Sequence, residues 1–276
     1  MITSTTTLGD SPWRSAQLVR DGAALHWRAA GQGRPVLFIH GTAAAVWGQL
    51  PARVAGFARA LVYDRRGFGA SQGAPLSKLS PHAEDAAALI HAAGGGPAVL
   101  VGWSIGGVIA LELAATQPAL VAGLVLLEPP LHAKKHPDLN LLNGVVLSIL
   151  TGALAGKTRG GRRFSRWVFR ESDGSNSLDR VPADIRATLE TNAAAICTEL
   201  QGGTGEHLKA AQLAGIRSPT AVFAAGRSQA FLQAGARRAA QSVPKAELIE
   251  LPEATHFLQL DAAERIARSV QRMVGA

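Results

Sequence analysis

The chain has 276 residues, of which 47% are hydrophobic and 17% are charged, and it carries a formal net charge of +8 at pH 7. This composition is typical of a packed globular enzyme and excludes a fibre, a disordered tail and a membrane-spanning chain. Because the length exceeds that of a usual single core, we expect one domain that carries a large insertion.

The first predicted elements form a hairpin. Residues 17–20 and 23–28 are candidate strands on either side of Asp21 and Gly22, a typical two-residue hairpin turn. Short apolar strands then alternate with helices. The predicted strands are 35–40, 60–63, 98–101, 123–127, 220–225 and 247–251, and the predicted helices are 46–58, 80–93, 105–116, 231–242 and 261–274. This alternation predicts an α/β fold, with a mostly parallel sheet covered on both faces and an antiparallel hairpin before it.

Residues 129–217 interrupt the alternation and are too long for an unstructured loop in a compact domain. They contain predicted helices at 139–155, 163–169 and 182–200, separated by glycine-rich and polar breaks. We therefore expect a core formed by residues 1–129 and 218–276, with residues 130–217 as an inserted helical cap. Such a cap projects over the carboxyl ends of the strands, where open α/β sheets bind ligands.

Two segments of the insertion admit two interpretations each. Residues 139–155 are apolar but interrupted by polar residues, so they fall short of a membrane span and predict a cap or core helix, or one that contacts a membrane interface. Residues 157–170 hold six basic residues and no acidic one. They predict a basic helix that favours an anionic substrate, or a solvated outer face. Cys197, the only cysteine, is predicted to be buried as a small apolar residue.

The most informative motif is Gly102-Trp103-Ser104-Ile105-Gly106, which lies between a predicted strand and a predicted helix. G-x-S-x-G at such a junction forces a very tight turn. The residues two before and two after the serine must lack a bulky Cβ, and the hydroxyl is pushed out above the sheet edge. Ser104 is therefore the candidate nucleophile, and an unassisted hydroxyl needs a base to attack at neutral pH.

Four motifs together resemble those of the α/β-hydrolase family, in its capped esterase, lipase and haloperoxidase-like group. They are His40-Gly41-Thr42, residues 63–71, the Ser104 motif and Thr255-His256-Phe257. The resemblance covers nearly the whole chain and is weakest in the insertion. It implies that His256, between the last strand and the last helix, is the catalytic base. It also implies structural roles for His40 and for the turn that begins at Asp64.

The third member of the catalytic triad departs from the common pattern of the family. Most members carry an aspartate after the next-to-last strand, where this chain has Gly226-Arg227-Ser228-Gln229-Ala230. A subset of the family places its acid after an earlier strand, and Glu128 follows the predicted strand 123–127. Glu128 is therefore the candidate acid that orients His256. The alternative is a glutamate paired with an arginine, with a water or Ser228 orienting His256.

An oxyanion needs two donors aimed at the developing charge. The backbone N–H of Ile105, at a helix N-terminus, is one candidate, and the resemblance implies the N–H of Thr42 as the other. Trp47 and Trp103 adjoin these segments, so they are candidates for lining an acyl pocket, with core packing as the alternative.

These features predict a serine hydrolase that cleaves a carboxylic ester or lactone of a small molecule through an acyl-enzyme. The alternatives are C–C bond hydrolysis, a non-hydrolytic cyclase or lyase reaction, and a ligand-binding pseudo-hydrolase. The sequence predicts no metal or other cofactor, no nucleic-acid partner and no stable membrane insertion. Without a secretory signal at residues 1–13, we expect a cytoplasmic protein. The sequence carries no signal of the oligomeric state.

Overall fold

The computed structural model describes residues 6–7, 12–42 and 46–275. Its strands are β1 (Thr6–Thr7), β2 (Arg14–Arg20), β3 (Ala23–Ala30), β4 (Pro35–Ile39), β5 (Arg59–Tyr63), β6 (Ala98–Trp103), β7 (Val121–Leu127), β8 (Thr220–Ala225) and β9 (Glu247–Leu251). The described residues form one nine-stranded sheet in the order β1-β2-β3-β5-β4-β6-β7-β8-β9. The pairs from β1 to β5 along this order are antiparallel, and those from β5 to β9 are parallel. The predicted α/β fold is confirmed.

Helices cover both faces of the sheet. They are α1 (Leu50–Ala55), α2 (Ser80–Ala92), α3 (Ile105–Thr116), α4 (Leu139–Ala155), α5 (Lys157–Val168), α6 (Ala183–Thr191), α7 (Ala193–Glu199), α8 (Ala210–Ala214), α9 (Ala230–Ser242), α10 (Leu258–Asp261) and α11 (Ala263–Val274). Alternate residues of a central strand enter different cores. In β4, Val36 and Phe38 pack with α1 and α11, whereas Leu37 and Ile39 pack with α2 and α3. Burial on both faces explains why these strands are continuous apolar runs.

The strand order gathers the predicted site residues at one edge of the sheet. β4, β6, β7, β8 and β9 are consecutive neighbours and parallel, so the loops after their carboxyl ends lie side by side. His40 follows β4, Ser104 follows β6, Glu128 follows β7, and His256 lies in the loop after β9.

Three predicted helices are observed in shortened or divided form. The helix predicted at 46–58 is reduced to α1, because Gly48 adopts a φ of +54° that no right-handed helix contains. The helix predicted at 182–200 divides into α6 and α7 at Asn192, whose Oδ1 accepts a hydrogen bond from Gly69 N at 2.8 Å. The helix predicted at 261–274 is observed as α11, which begins at Ala263, because Asp261 ends the separate short helix α10.

Helices α4 to α7 are inserted between β7 and β8, as predicted, and α4 has the predicted bounds. The helix predicted at 163–169 begins earlier, at Lys157. Small residues allow these helices to approach closely. A Cβ at Gly161 would lie 1.8 Å from Ala193 O, and a Cβ at Gly152 would lie 2.4 Å from Cys197 Sγ. Cys197 is buried at this junction. The division into a core and a cap at residues 130 and 217 stays a prediction.

The outer surface of the inserted helices is apolar on α4 and basic on α5. All six basic residues of 157–170 are exposed, which favours the interpretation of this segment as a solvated outer face. The exposed apolar side chains of α4 are Leu139, Leu142, Val146, Leu147, Leu150 and Leu154. Within the described parts of the chain, no helix has both the length and the apolar character that a membrane crossing needs.

Candidate active site

Ser104 lies in a sharp turn between β6 and α3, with a φ of +53° that is rare outside glycine. The glycines of the motif are required by close backbone contacts. A Cβ at Gly106 would lie 2.0 Å from Ile39 O, and a Cβ at Gly102 would lie 2.6 Å from Gly106 O. The hydrogen bond from Ser104 N to Leu127 O, 2.8 Å long, ties the turn to the end of β7. The turn therefore has the tight geometry that the motif predicts.

The loop after β4 packs directly against this turn. A Cβ at Gly41 would lie 2.8 Å from the Cβ of Ser104 and 2.9 Å from Trp103 O, so only glycine allows this approach. Thr42 follows and lines the same cavity as Ser104 and Ile105. The two predicted oxyanion donors thus belong to residues that adjoin Ser104.

His40 holds the loop from within the core. Its ring is fully buried, its Nδ1 donates to Gly41 O at 2.8 Å, and its Nε2 accepts from Arg65 N at 2.8 Å. Burial, with the Arg65 guanidinium as a second cause, lowers the pKa of His40 to about 3. His40 is therefore neutral at physiological pH.

His256 and Glu128 form a buried hydrogen-bonded pair. Nδ1 of His256 lies 2.8 Å from Oε2 of Glu128, whose side chain is fully buried. The other carboxylate oxygen accepts from Ala225 N at 3.0 Å and from the Ser228 hydroxyl at 2.5 Å. Ser228 thus donates to Glu128, and Glu128 pairs with His256 rather than with an arginine. With its proton on Nδ1, the imidazole has Nε2 available as a base.

Aromatic residues fix the position of the imidazole. Trp103 Nε1 donates to His256 O at 2.8 Å, and the rings of Trp103 and Phe169 lie 5.5 Å and 5.7 Å from the His256 ring between centroids. Phe169 follows α5 and stacks on Phe257 at 4.2 Å. The inserted segment therefore contacts the candidate base directly.

A cavity of about 80 Å³ opens in front of Ser104, between the sheet edge and the inserted helices. The inserted helices give it an apolar wall, formed by Leu141, Val145, Phe164, Val168 and Ile196. Neither Trp47 nor Trp103 is among the described residues that line this cavity. Both tryptophans are buried in the core beneath the site, which is the alternative position considered for them. Their predicted location in the pocket wall therefore differs from the observed one.

Two buried ion pairs tie the turn after β5 to neighbouring helices. Arg65 contacts Glu199 of α7 through both guanidinium nitrogens, and Glu199 lines the cavity. Arg66 binds Asp85 of α2 through Nε and Nη2, at 3.1 Å and 2.7 Å. The sequence marked the arginines only as members of a structural turn and gave no signal for Glu199, which lies 134 residues from Arg65.

The segment where most of the family carries the acid connects the core to the inserted helices instead. The Gln229 side chain donates to Trp167 O and accepts from Asn140 Nδ2 at 2.7 Å. Arg227 binds Glu171 at 2.6 Å. The structure thus gives these polar residues a role as anchors. In the described parts of the chain, no group of three or more His, Cys, Asp or Glu side chains could hold a metal ion.

Comparison with known proteins relates most of the chain to one family. A sequence model described as "Alpha/beta hydrolase family" matches residues 36–269. The chain is similar to the pimeloyl-[acyl-carrier protein] methyl ester esterase of Xanthomonas campestris pv. campestris (strain B100), with 28% identity over 258 residues, 91% of this chain and 99% of that protein.

Solved structures agree with this relation. A thermophilic esterase from Thermogutta terrifontis has a TM-score of 0.75 and 20% identity, with 100% of this chain and 99% of that chain covered. The enol-lactonase from Burkholderia xenovorans LB400 has a TM-score of 0.73 and 17% identity, with 94% and 100% covered. At such identities these structures show a shared fold alone.

The low pKa of His40 predicts a loss of stability in mild acid. Below the unfolded pKa of about 6.5 the unfolded chain binds a proton, while folded His40 stays neutral down to about pH 3. The free energy of unfolding should therefore fall by up to about 1.4 kcal/mol per pH unit as pH decreases through this window. Urea unfolding between pH 7 and pH 5 measures the slope. We expect a shallower slope for His40→Gln and an unchanged slope for the control His91→Gln, because His91 is exposed. Equal slopes in the wild type and His40→Gln would contradict the assignment.

Proposed function

The chain belongs to the alpha/beta hydrolase family, and on this premise we propose that it is a serine hydrolase that cleaves a carboxylic ester or lactone of a small molecule. The observation that carries the proposal is the hydrogen bond of 2.8 Å between His256 Nδ1 and Glu128 Oε2, beside the tight turn that presents Ser104. It supplies a base whose orientation and tautomer are fixed, at the edge of the sheet where the nucleophile lies.

In the proposed reaction, Ser104 Oγ attacks the acyl carbon while His256 Nε2 takes its proton. The N–H groups of Thr42 and Ile105 donate to the oxyanion, and the Glu128 carboxylate stabilises the imidazolium. His256 then gives the proton to the leaving alcohol, and an acyl group remains on Ser104. A water, deprotonated by His256, releases the acid and restores the serine. Because His256 carries every proton, the scheme needs no cofactor.

Because the cavity wall is apolar, we propose that the part of the substrate under the inserted helices is an apolar acyl chain. Leu141, Val145, Phe164 and Val168 would remove such a chain from water, which contributes about 0.8 kcal/mol for each buried CH₂ group. The name of the Xanthomonas relative also describes an ester of an acyl chain. We propose that residues 130–217 form the cap that selects this chain.

A covalent probe tests the proposed nucleophile. We expect a fluorophosphonate to label the folded protein on Ser104, and nitrophenyl esters to be hydrolysed by the wild type but not by Ser104→Ala. Intact-protein mass spectrometry and peptide mapping measure the labelling. Absence of labelling in folded protein would favour a binding protein or chemistry without an acyl-enzyme. Turnover of the natural substrate by Ser104→Ala would favour the cyclase or lyase alternative.

The proposed role of Glu128 is tested by Glu128→Gln, which keeps the size of the side chain and removes its charge. We expect kcat to fall by about 10⁴-fold, because the imidazole loses both its tautomer and the stabilisation of its charged form. Glu171→Gln is the control, since Glu171 is a buried glutamate that binds Arg180 and Arg227 instead of the histidine. Its kcat should change by less than about tenfold, well short of the loss from the triad acid. Near-normal turnover in Glu128→Gln would refute the assignment.

The position of the acyl chain is tested by a pair of adjacent residues on α4. Val145 lines the cavity, whereas Val146 is exposed on the outer face. Val145→Trp should reduce kcat/KM for an octanoate ester by at least about tenfold and leave an acetate ester nearly unchanged. Val146→Trp should leave both unchanged. A series of nitrophenyl esters of increasing chain length provides the measurement, and equal effects on short and long chains would place the acyl group elsewhere.

A further inference from the structure

The carbonyl of Gly41 is held from one side by two donors. His40 Nδ1 and Arg65 Nη2 each lie 2.8 Å from Gly41 O. This carbonyl and the N–H of Thr42 belong to one trans peptide, so they point in opposite directions. A peptide whose oxygen is fixed toward Arg65 has its N–H directed away from Arg65. Thr42 is the residue that adjoins Ser104 in the cavity, so the orientation of this peptide decides where the N–H is available.

Arg65 is itself held by the inserted helices. Its side chain has no exposed surface, and its guanidinium binds Glu199 through Nη1 and, at 3.1 Å, through Nη2. The guanidinium also lies over the ring of Phe68, at 4.6 Å from the centroid. Glu199 is the last residue of α7. One fork of hydrogen bonds therefore joins a helix of the insertion to the peptide between Gly41 and Thr42.

We propose that Arg65 and Glu199 are positioning residues, which orient the Thr42 N–H for the oxyanion and make this orientation depend on the seating of α7. The inference rests on the proposed serine hydrolase mechanism. A buried ion pair contributes little net stability, because the cost of desolvation offsets the attraction, so its main consequence here is geometric. Without the pair, the peptide oxygen loses its charged donor and is held by His40 Nδ1 alone, so the orientation of the peptide is less tightly fixed.

The neighbouring arginine offers a matched control. Arg66 lies in the same turn, is buried, and also binds a carboxylate through two nitrogens, here Nε and Nη2 to Asp85. Its remaining contact is with Asp21 O, on the side of the hairpin, instead of Gly41 O. Loss of either pair removes a buried ion pair between the same turn and a helix, but only the Arg65 pair reaches the candidate oxyanion donor.

The test compares Arg65→Gln/Glu199→Gln with Arg66→Gln/Asp85→Asn, both of which keep the net charge. We expect the first double variant to lower kcat by about 10-fold to 100-fold, less than the 10²-fold to 10³-fold lost when a donor is removed altogether. Its KM should stay within about twofold, because the donor acts mainly in the transition state. Affinity for a boronic acid that forms a tetrahedral adduct on Ser104 should fall in parallel with kcat. The Arg66 variant should keep both kcat and boronic acid affinity.

Several outcomes would overturn the inference. These are an unchanged kcat in the Arg65 variant, an equal loss of kcat in both double variants, and a change confined to KM. If the double variant does not fold, Glu199→Gln is measured instead. An unchanged kcat in that variant would also contradict the inference. The wild type is assayed in parallel. A wild type that neither reacts with the fluorophosphonate nor hydrolyses esters refutes the proposed function itself, whereas an active wild type with unaffected variants refutes only the positioning role.

Discussion

The hydrogen bond between Glu128 and His256 joins the ends of β7 and β9 across a strand that supplies neither residue. β8 lies between them, and its end contributes the Ala225 N–H and the Ser228 hydroxyl that hold the free oxygen of Glu128. The carboxylate is thus satisfied on both oxygens while fully buried, as a buried charge requires. This arrangement needs the parallel order β7-β8-β9, which brings the carboxyl ends of the three strands side by side.

Features with a local signal could be predicted from the sequence. A buried parallel strand is a short apolar run between turn residues, so β8 has the bounds expected for it. β9, a mostly exposed strand at the edge of the sheet, also has the predicted bounds. Ser104 and Glu128 directly follow strands, and His256 lies in the loop after β9. The resemblance to the family was needed to assign the three residues to one site. The two glycines of the Ser104 motif added a steric requirement that the backbone contacts bear out.

Features that depend on distant contacts could not be predicted. The break between α6 and α7 lies at Asn192, which accepts a hydrogen bond from Gly69 N, and the guanidinium of Arg65 binds Glu199. The residue pattern of one segment carries no information about a contact partner in a distant segment. Trp103 adjoins the nucleophile in sequence, but β6 turns its ring into the core, where its indole N–H binds His256 O. In the sequence, Gln229 indicated only that the usual position of the acid holds no carboxylate. Its contacts with Asn140 and Trp167 of the insertion become visible only in the folded chain.

Cys197 gives the chain a built-in reporter of how often the inserted helices separate. It is the only cysteine, and a Cβ on either Gly152 or Gly160 would collide with its sulfur, so the thiol is enclosed where α4, α5 and α7 meet. Burial raises the pKa of this thiol and keeps it in its less reactive form. Its alkylation therefore waits for the helices to part. The rate of that reaction would record the opening of the insertion without a foreign label.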